Sequence, residues 1–163
     1  MANANKLSGI VNKINRLPDF ARSRALTLFF GKVVPFTGTT GIRIESLDQE
    51  RCVISLANKR RVQNHIGGVH AVASLVLAES ATGFLVGLNV PDDKVPVIKT
   101  ASAEYTRRAK GDMTVQAHLT DEQRERMRTE EKGDVSVPVT IHDSEGKEPI
   151  EIEMVWAWTP KRR

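Results

Sequence analysis

The stretch QNHIGGVHAVASLVLAESATGFLVGLNV, residues 63–90, decides how this chain folds. After His70 its one ionisable side chain is Glu79, which is surrounded by alanine, valine, leucine, serine, threonine, glycine and phenylalanine. A helix that is apolar on every side is normally buried. The pattern therefore predicts a helix that begins near Gly68 and is enclosed by the rest of the protein.

The same segment is long enough to be tested as a membrane span. It contains Glu79, Asn89 and several hydroxyl side chains, and a carboxylate at the middle of a bilayer is costly. A helix inside a folded domain accounts for the pattern better. We therefore expect no membrane span, and a helix that ends near Gly87 or Asn89, before Pro91.

The bulk composition indicates a single domain with its own core. The chain has 163 residues, of which 40% are hydrophobic and 27% charged. Cys52 is the only cysteine, which excludes an intrachain disulfide framework and favours a reducing compartment. With no secretory signal pattern at the start, we expect a cytoplasmic protein in which residues 1–163 form one domain.

The charge is basic and partly local. The net charge is +4, and Asp19 is the only acid up to Ile44, against seven lysines and arginines. This balance permits an anionic partner without choosing one. Aromatic residues make up 5% of the chain, few for stacking on bases, so no nucleic-acid partner is expected.

Two helices are predicted ahead of the buried segment. Apolar residues recur at helical spacing over residues 7–17, and a second helix follows over residues 20–30. Pro35 and Gly38 indicate a loop. The first 36 residues would form a helical extension to a core of residues 39–159.

Alternating apolar residues predict two strands before the buried helix and four after it. They are TGIRIESL (40–47), RCVISLA (51–57), VIKTASAEYTRR (97–108), MTVQAHLT (113–120), DVSVPVTIHD (134–143) and PIEIEMVWAWT (149–159). The charged run 120–134 is interpreted as a solvated hairpin tip or a frayed strand extension. Four consecutive strands predict an antiparallel meander. The fold class is α+β, with one curved antiparallel sheet wrapped around a long central helix.

This arrangement resembles the hotdog fold. The segment NHIGGVHAVASLVLAES, residues 64–80, is similar to the signature of acyl-CoA thioesterases of the phenylacetyl-CoA thioesterase type. Asn64 and His70 keep that signature's six-residue spacing, and Glu79 follows Ala71 by its eight residues. The family has Gly-Gly where this chain has Ala71-Val72.

The resemblance implies a role for each matching residue. Glu79 would be the general base or nucleophile, and the backbone N–H of Ala71 would bind the oxyanion. Asn64 would orient the water or the thioester carbonyl, while His70 would shape the helix entry. Burial alone points the same way for Glu79, because it raises a carboxyl pKa towards the range of a useful base.

Helix geometry adds a constraint to this site. Ala71 and Glu79 are eight residues apart, which is about 12 Å along one helix. One carbonyl carbon cannot contact both, so the two groups would have to come from two chains packed across a two-fold axis. We therefore expect a homodimer, which the family also implies, with a homotetramer as a further family habit.

Several residues remain candidates for binding an acyl-CoA substrate. These are Gly68, Lys99, Arg107 and Arg108, because coenzyme A carries phosphates that cations bind. An alternative interpretation pairs Lys99 with Glu79 in an ion pair inside the chain, since Lys99 alternates with Val97 and Ala101 on the face predicted to point inward.

Two functional hypotheses follow. The first is hydrolysis of an acyl thioester, and the second is a non-catalytic module that binds an acyl group or acyl-CoA, which the Ala71-Val72 departure favours. The spacing of Asn64, His70 and Glu79 matches no strong metal motif. We expect neither a metal nor another cofactor.

Overall fold

A computed structural model describes residues 5–162 of the chain as five helices and seven strands. The helices are α1 (Lys6–Ile14), α2 (Asp19–Val33), α3 (Pro35–Thr40), α4 (Ala71–Asn89) and α5 (Asp121–Thr129), with a short 3-10 turn at Arg60–Val62. The strands are β1 (Arg43–Leu47), β2 (Arg51–Leu56), β3 (Lys94–Tyr105), β4 (Met113–His118), β5 (Gly133–Ser136), β6 (Val139–Asp143) and β7 (Ile150–Pro160).

All strand pairs are antiparallel, and α4 packs against strands of both hydrogen-bonded groups. One group has the order β1-β2-β4-β6, and the other has the order β3-β7-β5. The predicted α+β class and the hotdog arrangement of a sheet around a long helix are confirmed. The meander is wrong, because β3 pairs with β7 rather than with its neighbour in sequence, β4.

Helix α4 forms the centre of the core. Its side chains at Leu77, Leu85 and Leu88 are fully buried among the apolar faces of the strands. The predicted end near Asn89 is confirmed, and the helix begins at Ala71, three residues after Gly68. By length and composition α4 could also cross a membrane, a test that buried core helices pass as well.

Strand β3 carries a bulge, and because of it the side chains in the first half of the strand point to the opposite face of the sheet from the one predicted. The register shifts between Ile98 and Thr100, so Ile98 pairs with the buried Trp156 while Lys99 lies in the bulge. The predicted inward orientation of Val97 and Lys99 is therefore wrong. An added residue in one strand shifts every following side chain to the other face.

Two further segments differ from the sequence predictions. The predicted loop at Pro35 and Gly38 is the short helix α3, with Pro35 at its first position, where proline needs no N–H partner. The charged run 120–134 contains helix α5, which begins at a capping box formed by Thr120 and Gln123. The predicted hairpin tip is therefore wrong.

The strand predicted over residues 134–143 is divided. Its first part, β5, pairs with β7, and its second part, β6, pairs with β4. Pro138 lies at the division, where it has no N–H to donate to a ladder. The chain passes here from one hydrogen-bonded group to the other.

The N-terminal helices pack on the second half of α4. The Asn5 amide caps α1 and donates to the carbonyl oxygens of Gly87 and Val90, at 2.7 and 2.6 Å. The ring of Phe30 on α2 contacts that of Phe84, with ring centres 4.2 Å apart. These contacts leave the first half of α4 uncovered by the N-terminal helices.

Candidate active site

A cleft of about 440 Å³ opens beside the first turn of α4. The residues that line it come from the loop before α4, the start of α4, the end of β3 and the start of β7. They are Asn64, Ile66, Gly68, Val69, Ala71, Ser74, Tyr105, Arg107, Arg108, Ala109 and Ile150. The structure therefore brings together five of the eight residues predicted for the site, namely Asn64, Gly68, Ala71, Arg107 and Arg108.

Asn64 holds the loop at the cleft and also faces its interior. Its side-chain oxygen accepts hydrogen bonds from the N–H groups of Ile66 and Gly68, both at 3.1 Å. The backbone N–H of Asn64 donates to the Gly68 carbonyl at 2.8 Å. Because the side-chain oxygen is occupied, the amide Nδ2–H groups of Asn64 remain to donate to a ligand.

His70 caps the first turn of α4. Its Nδ1 accepts a hydrogen bond of 3.1 Å from the Val72 N–H, and its own N–H donates to the Val62 carbonyl at 2.8 Å. His70 thus shapes the helix entry, as predicted from the sequence, and its Nδ1 is occupied. The role of His70 in catalysis stays a prediction.

The N–H of Ala71 is the open donor at the helix start. It has no hydrogen-bond partner among residues 5–162, as the first N–H groups of a helix have none within the helix. The positive end of the helix dipole adds to its attraction for a negative oxygen. Ala71 is exposed and lines the cleft, so an oxyanion could reach this donor.

Tyr105 is a cleft residue that the sequence analysis did not propose for the site. Its hydroxyl donates a hydrogen bond of 2.6 Å to the Ala71 carbonyl. Burial raises the pKa of Tyr105, so the hydroxyl stays a donor at neutral pH. The available sequence signal was its place in the inward face of β3, two residues before Arg107.

The two arginines of the cleft differ in how far they are engaged. Arg107 lies 3.6 Å from Asp143 and 3.4 Å from Glu145. Arg108 is exposed, and among residues 5–162 its side chain donates only to the Ile66 carbonyl, at 3.1 Å. Arg108 therefore has more donors left for an anionic ligand than Arg107.

Glu79 lies two turns further along α4, outside the cleft lining. Its side chain is partly buried, and burial raises the pKa of its carboxyl group. No hydrogen bond or ion pair within residues 5–162 engages that carboxylate. It shares an incompletely covered stripe of α4 with Val72 and Val76.

The alternative pairing of Glu79 with Lys99 does not occur. The Lys99 amine pairs instead with Asp134 of β5, and the two side chains are 56% and 48% exposed, so this is a surface pair. The bulge in β3 explains the difference, because it turns Lys99 away from α4. The structure does not bring Lys99 to the cleft.

The described part of the chain shows no cluster of three histidine, cysteine, aspartate or glutamate side chains that could hold a metal ion. Cys52 is fully buried, and burial raises the pKa of its thiol far above neutral pH, so it is unreactive. The chemistry available here is that of a carboxylate, backbone and amide donors, and arginine.

Residues 22–158 match a family described as a domain of unknown function, DUF4442. The chain belongs to the DUF4442 family. The matched region begins within α2 and ends in β7, so it includes the cleft and Glu79. Among curated proteins, no sequence matches this DUF4442 chain.

Solved structures similar to this DUF4442 protein share its hotdog fold. A Pseudomonas aeruginosa protein of unknown function, called a probable thioesterase, has a TM-score of 0.76 and 24% identity, with 89% of this chain and 97% of that one covered. A thioesterase from Haemophilus influenzae has a TM-score of 0.65 and 15% identity, with 88% and 92% covered. A mutant thioesterase from Staphylococcus aureus has a TM-score of 0.64 and 19% identity, with 78% and 100% covered.

Proposed function

We propose that this DUF4442 protein hydrolyses acyl thioesters, with acyl-CoA as the substrate class. The observation that carries the proposal is Glu79, an acid in the apolar helix α4 whose carboxylate has no partner in the described chain. Burying a carboxyl group without a partner is costly, so a use for it is expected. The thioesterases among the similar structures support the same reaction class.

Glu79 would act as the base. Its carboxylate takes a proton from water as the water oxygen attacks the thioester carbonyl carbon. The resulting oxyanion accepts a hydrogen bond from the Ala71 N–H, and the side-chain amide N–H of Asn64 donates to the same oxygen or to the water. When the intermediate collapses, the carbon–sulfur bond breaks and the thiolate takes the proton from Glu79. In the nucleophilic variant, the Glu79 carboxylate attacks the carbonyl carbon, the carbon–sulfur bond breaks and the thiolate leaves. Water then hydrolyses the mixed anhydride, which releases the acyl group as an acid and restores the Glu79 carboxylate.

The reaction requires a second copy of the chain. Ala71 and Glu79 are separated by about 12 Å along α4. A two-fold axis beside α4, with the helices antiparallel, would bring the Ala71 N–H of one protomer towards Glu79 of the other. Two features support such a homodimer, namely the incompletely covered stripe of α4 and the strand β3.

Strand β3 is a long edge with exposed apolar residues. It has 12 residues and pairs within the described chain only with β7, so its other edge is open. Val95, Val97 and Ile98 are each more than a third exposed. Because open edge strands pair readily with other strands, a second β3 is the natural partner.

The cations at the cleft suit the substrate class. Coenzyme A carries phosphate groups, and arginine binds phosphate through paired hydrogen bonds. Arg108, exposed at the cleft rim, is the better placed of the two arginines, because Arg107 is already engaged by Asp143 and Glu145. Gly68 leaves space beside Asn64 for the ligand.

A non-catalytic acyl-CoA-binding module is the second candidate. One observation favours it. Val72 is the second residue of α4 and is 57% exposed in the first turn of that helix, at a position where the thioesterase signature has glycine. A branched side chain there reduces the room for a tetrahedral intermediate. A binding module would keep the cleft and lose turnover.

The two candidates are separated by one substitution and its control. We would measure release of free thiol from short, aromatic and long-chain acyl-CoAs by wild type, Glu79→Gln and Glu122→Gln. Glu122 is an exposed carboxylate on α5, outside the proposed interface, and serves as the matched control. We expect Glu79→Gln to lower kcat by about a hundredfold or more, as loss of a general base does, and Glu122→Gln to leave it unchanged. Equal turnover by wild type and Glu79→Gln would refute the assignment, and acyl-CoA binding without turnover by wild type would establish the module.

A further inference from the structure

A second and larger groove lies on the N-terminal side of the molecule. It has a volume of about 610 Å³ and is mainly apolar. Its lining comes from α2, α3 and the start of β1, and consists of Phe20, Arg24, Thr27, Leu28, Gly31, Lys32, Thr37, Gly38, Gly41, Ile42, Arg43 and Ile44. None of these residues lines the cleft beside Ala71.

Helix α2 is apolar on two opposite faces, and only one of them packs on the core. The buried face holds Leu26 and Phe30, each almost fully covered. The other face holds Phe20, which is 86% exposed, and Leu28, which is 59% exposed. Large apolar side chains that remain uncovered beside a groove indicate a ligand or an interaction surface.

Positively charged side chains alternate with the apolar ones along this face. Phe20, Arg24, Leu28 and Lys32 follow one another at intervals of four residues and therefore form one row. The side chains of Arg24 and Lys32 make no hydrogen bond or ion pair with any residue from 5 to 162. The row thus offers two unengaged cations to an anionic group.

The acids near the groove are already engaged. Asp19 pairs with Arg22 at 2.8 Å, and Glu45 lies 3.3 Å from Arg43 and accepts a hydrogen bond from Ser55. The positive charge at Arg24 and Lys32 is therefore left uncompensated within the described chain. An apolar groove with uncompensated cations is complementary to an amphiphile with one anionic end.

The base of the groove is closely packed. Gly31 of α2 and Gly38 of α3 approach so closely that a Cβ on Gly38 would lie 2.8 Å from the Gly31 carbonyl oxygen. Thr37, which is buried, lies 3.4 Å from Ser80 on α4 through the two hydroxyl oxygens. The groove is therefore a formed feature of the packing between α2, α3 and α4.

We propose that this groove binds a single-chain fatty acid, with the carboxylate at Lys32 and the hydrocarbon chain along α2 towards Phe20. Arg24 and Lys32 are eight residues apart, about 12 Å along the helix, so the carboxylate meets Lys32 while Arg24 adds positive charge beside the chain. From Lys32 to Phe20 the row is about 18 Å long, which suits an extended chain better than a compact ligand. A charge-assisted hydrogen bond from Lys32 would hold the carboxylate. The proposal does not depend on thioester hydrolysis at the other cleft.

The test is a titration of the full-length protein by calorimetry, with myristate, laurate, decanoate and the uncharged alcohol of laurate. Each two-carbon shortening should weaken the Kd by about tenfold, because the methylene groups are buried. The double variant Arg24→Gln/Lys32→Gln should weaken the Kd for laurate by about tenfold or more and leave that for the alcohol unchanged. The matched control Lys13→Gln removes a cation of the same extension outside the groove and should change neither.

A second variant tests the apolar part of the groove without changing its charge. Leu28→Gln replaces an exposed apolar side chain with a neutral polar one, so it should weaken the Kd for laurate by about tenfold with no loss of fold by circular dichroism. The proposal is overturned if no fatty acid binds, or if Leu28→Gln and the double variant bind laurate like wild type. It is also overturned if anionic phospholipid vesicles bind through Phe20 while monomeric laurate does not, or if Leu28→Gln halves the molecular mass, which would make the groove a contact between copies.

Discussion

The Tyr105 hydroxyl donates a 2.6 Å hydrogen bond to the carbonyl oxygen of Ala71. This bond ties the end of β3 to the first residue of α4, where the proposed oxyanion donor lies. The bond holds the Ala71–Val72 peptide unit relative to the sheet, and the Ala71 N–H lies in the peptide unit directly before it. The helix start and the edge strand form one unit at the cleft.

The first prediction concerns this bond. Tyr105→Phe should lower kcat for acyl-CoA hydrolysis by several-fold, because the Ala71 N–H loses its fixed orientation. Tyr105 is 47% exposed, so the loss of one neutral hydrogen bond should cost stability only about 1 kcal/mol. Steady-state kinetics and urea unfolding measure the two effects separately. A variant with wild-type kcat would show that the bond has no part in positioning.

The second prediction concerns pH and Glu79. Because burial raises the pKa of this carboxyl above its usual 4.5, the folded state binds its proton more tightly than the unfolded state does. The stability of the wild type should therefore fall as pH rises from 4.5 through the raised pKa, relative to Glu79→Gln.

Urea unfolding of both proteins at a fixed concentration, between pH 4 and pH 8, measures this difference. The two curves should meet at the acidic end, where the carboxyl is protonated in both states, and separate at neutral pH with the glutamine variant more stable. A constant difference across the whole range would contradict the assignment of a raised pKa to Glu79.

The sequence predicted the central helix because it depends on a local pattern, and the candidate site at its entrance was proposed from local spacing alone. The long apolar run with one acid specifies a buried helix, and the Asn64 loop and His70 cap lie within seven residues of each other. Tyr105 was missed as a site residue because its bond to Ala71 joins positions 34 residues apart. No local pattern indicates such a contact.

The errors have equally physical causes. A bulge at Lys99 cannot be read from alternation, because it is itself a break in alternation. The charged run 120–134 contains two features that favour a helix but were given no weight. They are Thr120 and Gln123 at the spacing of a capping box, and Met127, an apolar residue that the structure buries fully. Strand pairing such as β3 with β7 depends on the whole chain and is the least local property of the fold.

The third prediction compares two lysines of β3. The Lys94 amine is buried and donates to the carbonyl oxygens of Met127, Arg128 and Glu130, at 3.1, 3.2 and 2.7 Å. Lys94→Met should destabilise the protein by about 1–3 kcal/mol, because it leaves the carbonyls at the end of α5 without this donor. Lys99→Met is the matched control.

Lys99 lies at the surface with Asp134, and exposed pairs contribute little. Thermal unfolding should therefore place the midpoint of Lys99→Met near that of the wild type and well above that of Lys94→Met. Equal midpoints for the two variants would show that Lys94 does not stabilise the end of α5.

The fourth prediction tests the edge strand. Ile98→Lys introduces a charge on β3, which should oppose pairing with a second β3 and convert a dimer to a monomer. Phe20→Lys removes a still more exposed apolar residue from α2 and should leave the dimer intact. Light scattering after gel filtration measures the mass of each. A wild type that is already monomeric would overturn the composite site.

The fifth prediction concerns two glycines of α4 with opposite surroundings. A Cβ on Gly83 would lie 2.7 Å from the ring of Trp156, which cannot easily move because its Nε1 donates a 2.9 Å hydrogen bond to Thr82. Gly83→Ala should therefore destabilise the protein by about 1–3 kcal/mol, as overpacking does.

A Cβ on Gly87 would lie 3.6 Å from Leu7, which is an ordinary contact, so Gly87→Ala should stabilise the protein by about 0.5–1 kcal/mol through helix propensity. Urea unfolding of the two variants should give shifts of opposite sign, and shifts of the same sign would show that Trp156 does not set the space beside α4.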